Sequence, residues 1–147
     1  MHTLDRLRRH IDDVPPLLRA LPEQELSRHL PGKWSRKQVL GHLIDSAINN
    51  LKRFTDGQFA DGPYPILPYN QDELVRANQY QDLPLSHLLT LWSSLNLQIG
   101  YVIEAMSATT LSTPIQLPAT TQAGAKTLQW LFDDYVLHME HHLKTLI

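Results

Sequence analysis

The stretch Tyr135-Val136-Leu137-His138-Met139-Glu140-His141-His142 holds three of the eight histidines in this chain. If it is helical, His138 and His142 lie four apart, so both imidazoles leave one face about a turn from each other. Two neutral ring nitrogens at that spacing can grip one metal ion. Two ligands are too few, so the ion needs another from elsewhere in the chain. There is no cysteine, which excludes disulfides, thiolate ligands and a cysteine nucleophile and leaves nitrogen and oxygen to hold any metal. His2, His10, His29 and His87 stand isolated and read as surface or packing residues.

The elements that must position these groups follow from periodicity. Leu4, Leu7, Ile11, Val14, Leu17, Leu18 and Leu21 recur at helical steps, and Pro15 and Pro16 predict a bend or break near residues 12–14. A short polar segment then ends at the turn Pro31-Gly32. Ser35 and Gln38 form a capping box that starts a second helix, whose apolar face carries Leu40, Leu43, Ile44, Ala47, Ile48, Leu51 and Phe54. Residues 59–68, rich in glycine, proline and tyrosine, predict a long loop. Asn70 caps a short extra helix, and Pro84 opens a third long one through Leu88, Trp92, Ile99 and Met106. Residues 107–125 predict a loop with a little extended structure. The last helix runs from about Thr127 to the end, and its wheel turns His138 and His142 inward and His141 toward solvent.

On the second helix Gln38, His42, Ser46, Asn49 and Arg53 form a polar stripe roughly opposite the centre of the apolar face. Periodicity keeps them out of the core. Asp45, Lys52 and Asp56 at one border predict open solvent there, while the stripe itself carries ligand-binding groups and reads as a cleft wall. His42 is a candidate functional residue. Arg53 has two readings, a group for binding and a surface salt bridge.

Four helices with long connections and no convincing strand predict an all-α bundle, and 147 residues suit a single domain over residues 1–147. A net charge of −2 with scattered lysines and arginines gives nucleic acid no footprint. The apolar runs are too short to span a bilayer, and without a secretory signal the expected location is the cytoplasm.

Lys33-Trp34-Ser35, Gly41-His42-Leu43-Ile44-Asp45-Ser46 through Asn50, Arg53-Phe54 and the stretch from Tyr135 to His142 together resemble the DinB-like (YfiT-like) superfamily, over nearly the whole chain. The resemblance implies a four-helix bundle with a divalent metal, zinc or nickel, held by one histidine of the second helix and two of the last. Those are His42, His138 and His142; His138 with His141, three apart, is an alternative pair. It implies a metal-dependent enzyme, either a thiol S-transferase using a low-molecular-weight thiol or a hydrolase, with a small-molecule substrate, and dimers are common in the family. Three neutral imidazoles leave a coordination position open for chemistry. Arg53 could then hold an anionic group, and Asn49, Asn50 or Ser46 could orient ligands. Asp45 and Glu140 are read either as carboxylates supporting the site or as exposed helix charges. The competing function is a noncatalytic small-molecule-binding or stress-response bundle, and the plainest alternative is histidines that only pack helices.

Overall fold

The helical spacing of Leu4, Leu7, Ile11, Val14 and Leu18 builds α1, Thr3–Arg19, in a computed structural model that describes residues 2–29, 31–118 and 125–147. The expected break at the prolines does not occur. Pro15 and Pro16 remove donors to the carbonyls of half-exposed Ile11 and exposed Asp12, where water can replace them, while Val14, Pro15 and Leu18 are buried and hold the helix onto the core. The polar segment that follows contains a second, unanticipated helix, α2, Glu23–Ser27. With five residues and one buried side chain, Leu26, it is too short for a period to show.

α3, Arg36–Asp56, begins where the capping box sets it. Ser35 Oγ accepts from the Gln38 amide at 3.2 Å, and Gln38 Oε1 accepts from the Ser35 amide at 3.0 Å. It is the central helix and is covered on nearly every side, with residues 40–47 all buried. Beyond it come β1, Tyr64–Pro65, then α4, Gln71–Ala77, which Asn70 caps, then a single 3₁₀ turn over Tyr80–Asp82. α5, Leu85–Glu104, follows, with Pro84 one place outside the helix as its cap. After α6, Ala108–Leu111, come β2, Pro114–Gln116, and β3, Lys126–Thr127. α7, Leu128–Leu146, is capped by Thr127 Oγ1, which accepts from the Trp130 amide at 3.2 Å.

The little extended structure expected within residues 107–125 is β2, and the reading of no convincing strand is corrected by a small sheet. β1 runs parallel to β2 with Tyr64 opposite Ile115, and β2 runs antiparallel to β3 with Ile115 opposite Lys126. Strands of two or three residues are too short for alternation to betray them. Of the loop expected over residues 107–125, residues 119–124 lie outside the described part. α3 packs on α5 and α7, and α1 packs on the same two helices, closing a four-helix core around Leu7, Leu43, Phe54, Trp92, Ile99 and Phe132, all almost wholly buried. Among the described residues no helix is long and apolar enough to cross a membrane.

Candidate metal centre

α3 and α7 run antiparallel at their contact. Phe54 meets Phe132 and Tyr135 edge-on at one end, each pair with centroids 5.9 Å apart, and His42 meets His138 and His142 at the other. Antiparallel packing therefore carries a histidine from each helix to the same level. His42 Nε2 lies 3.4 Å from His138 Nε2, and His142 Nε2 lies 3.2 Å from that same atom. Nitrogens held about 2.1 Å from one tetrahedral ion stand about 3.4 Å apart along each edge. The observed separations fit that spacing.

Protons do not explain the arrangement as well. A single ring nitrogen offers one N–H or one lone pair, so His138 Nε2 cannot make good bonds to both neighbours. Burial pushes His42 down to about 4, with the neighbouring His142 and His138 adding to it. Burial also lowers His138 and His142. The three rings are neutral at ordinary pH, the form that ligates a cation. Among the described residues these are the three side chains whose ligand atoms come together, all within 4.8 Å of one another. His141 is exposed and stacks on His142 at 5.4 Å between centroids, outside the cluster.

The surroundings correct several expectations. His42 and Ser46, read as a cleft wall kept out of the core, are 0% and 2% exposed, because α7 lies across that face of α3. His42 Nδ1 has no hydrogen-bond partner among the described residues, and its ring is positioned by Trp34, 5.0 Å away between centroids. Asp45, expected beside open solvent, is 2% exposed. It accepts from Tyr80 Oη at 2.6 Å and Asn78 Nδ2 at 3.1 Å, and burial raises its pKa despite both bonds. Lys37 is buried too and meets Glu23 of α2 at 2.6 Å. Glu140 faces α1, where Arg6 at 2.6 Å and His10 at 2.8 Å hold it. Arg6 foremost keeps its carboxyl below the ordinary range. That clamp fixes the rotation of α7, and with it the direction of His138 and His142. Sequence reasoning left His10 isolated, since no spacing links residues 130 positions apart.

A cavity of about 630 Å³ adjoins the cluster. His138 and His141 line it with Ser46, Asn50 and Arg53 of α3, Tyr69 and Ile66 of the covering loop, and Trp130, Asp134 and Leu137 of α7. Asn49 is not among its lining residues and donates to the Asp45 carbonyl of its own helix at 2.9 Å. The arrangement is three convergent neutral imidazoles at the end of a cleft with apolar and polar walls.

Comparison with known proteins agrees with this architecture. The chain is 26% identical over 140 residues to a protein of Halalkalibacterium halodurans and 28% identical over 137 residues to one of Geobacillus thermodenitrificans, both provisionally named metal-dependent hydrolases. The alignments cover 92% and 90% of this chain and 79% and 75% of those proteins. Among solved structures, YfiT from Bacillus subtilis, described provisionally as a metal-dependent hydrolase with an unusual four-helix bundle topology, superposes with a TM-score of 0.77 at 23% identity. That match covers 95% of this chain and 81% of YfiT. A mycothiol-dependent maleylpyruvate isomerase superposes with a TM-score of 0.69 at 17% identity, over 96% of this chain and 58% of that one. These likenesses establish the four-helix fold. A sequence model of the DinB superfamily matches residues 6–146, and the chain belongs to that superfamily.

Proposed function

We propose that the chain is a metal-dependent hydrolase whose divalent ion is held by His42, His138 and His142, with the adjoining cavity as its substrate cleft. The observation that carries this reading is the convergence of the three imidazoles, with ligand atoms all within 4.8 Å of one another and His138 on the cavity wall. A divalent ion so ligated supplies Lewis-acid chemistry, lowering the pKa of a water or thiol and polarising a carbonyl. The chain's own residues do the rest. Burial keeps the imidazoles unprotonated and available. Trp34 and the clamp on Glu140 hold their directions, and Ile66, Leu117, Trp130 and Leu137 give the cleft apolar walls against which a substrate excludes water. The names of the sequence relatives support hydrolysis. The mycothiol-dependent relative in fold supports a second reading, transfer to a low-molecular-weight thiol, which the same open cleft would admit.

Metal analysis tests the foundation. Protein purified without a histidine tag should carry about one equivalent of divalent zinc or nickel, and His42→Ala and His138→Ala should each lose it. Full retention in both variants would sink the site. Ester and amide hydrolysis screened against thiol transfer to electrophiles then separates the chemistries. Ligand binding that persists after complete metal removal, with no turnover before it, favours the noncatalytic reading.

A further inference from the structure

The cleft holds a charge, that of Arg53, with no ion pair among the described residues. Arg53 is half-buried, and its guanidinium is fixed by three contacts: Nη1 donates to Asn50 Oδ1 at 3.4 Å, Nη2 donates to the Leu67 carbonyl, and the plane sits 5.6 Å from the Tyr69 ring centroid. None of these partners is a carboxylate, and Arg53 makes no ion pair among the described residues. Burial lowers its pKa, yet a guanidinium stays charged at any working pH. Asp134 lines the same cavity from α7 without forming an ion pair with Arg53. Two of the five N–H donors of Arg53 are engaged, and the side chain lines the cavity. A guanidinium held rigid in a cleft, with donors to spare and no carboxylate bonded to it among the described residues, suits the planar fork of a carboxylate.

Its distance from the histidines limits the ligand. Arg53 follows His42 by eleven residues on α3, and its side chain leans back one turn to reach Asn50. At 1.5 Å per residue the guanidinium therefore lies roughly 10–15 Å along the helix from the level of His42. The cavity wall carries Ile66, Leu117, Trp130 and Leu137, and Ser46 and Asn50 of α3 add polar groups to it. We infer that the substrate of this cleft is an elongated acid, whose carboxylate Arg53 holds while its reacting group lies roughly 10–15 Å farther along the cleft at the three histidines, joined by an apolar middle. This rests on the proposed metal site only for which end reacts.

The test uses cobalt-loaded protein and three probes: mercaptopropionate, mercaptoundecanoate and the methyl ester of mercaptoundecanoate. Sulfur binding to cobalt is read by its charge-transfer absorbance. The long acid should bind at least about 10-fold tighter than its ester, the effect of one charge-assisted hydrogen-bonded contact. The short acid, unable to span the cleft, should bind with the same affinity to the native protein and to Arg53→Gln. Arg53→Gln should erase the preference of the long acid while leaving the ester's affinity unchanged, and Arg53→Lys, which keeps charge but loses the fork, should retain part of it. Equal binding of long acid and ester, or a preference that survives in Arg53→Gln, overturns the inference. If no thiol produces the band, the metal reading has failed, and calorimetry of metal-free protein with undecanoate against undecanamide decides the Arg53 reading by the same inequality.

Discussion

At the scale of single residues, helical spacing brought out the His138 and His142 pair, because four positions on one helix is a local property. It misjudged the company that α3 keeps. A wheel ranks the faces of one helix but does not know how many neighbours will cover them, so His42 and Ser46 read as a polar cleft wall and Asp45 as its solvent border although all three are buried. Asp45 carries the consequence. Its Oδ2 is buried without a partner, and burial raises its pKa above the unfolded value. A raised carboxyl favours the folded state while protonated, so this contribution is full below the unfolded pKa of about 4 and is lost as pH rises through the folded value. Asp45→Asn cannot titrate. Urea unfolding of both proteins in chelator should show the native chain losing stability relative to the variant as pH rises from about 4 toward neutrality. The histidine titrations cancel in that difference, and a flat difference would refute the assignment.

At the scale of elements, the long helices were legible and the short ones were not. The start of α3 was readable because Ser35 and Gln38 announce it with side-chain chemistry, whereas α2, α6 and the three strands have too few residues to express any period. Packing between elements leaves even less local trace. Gly41 illustrates this: a Cβ there would lie 2.1 Å from Tyr80 Cδ2, so the absent side chain is what lets the 3₁₀ turn press against α3 and set Tyr80 on Asp45. Tyr80 is itself buried and cannot swing aside freely. Gly41→Ala should therefore cost about 1–3 kcal/mol in spite of alanine's better helix propensity. Chemical denaturation measures it. Tyr80→Ala, which opens the space, should cancel most of the added penalty when combined with Gly41→Ala, and strictly additive losses would argue against this contact.

At the scale of the whole molecule, the three histidines join segments 96 residues apart, and the rest of the fold aims them. α5 fills the core side of α3, while α1 grips Glu140 from the far side of α7, so the separation of His42 from His138 depends on all four long helices at once. The sequence could suggest a bundle from four periodic segments, but not the antiparallel level of α3 against α7 that makes the cluster. That dependence gives a global readout. An ion that binds the folded cluster and not the unfolded chain adds about 2.7 kcal/mol at 100 times its dissociation constant. For a chain of this length that corresponds to a Tm rise of roughly 5–10 °C. The rise should increase logarithmically with free zinc or nickel, vanish in His42→Ala and in His138→Ala, and persist in Arg53→Gln, whose side chain lies elsewhere in the cleft. Calorimetric melts across a metal titration measure it, and an equal rise in the histidine variants would place the stabilising ion at some other site.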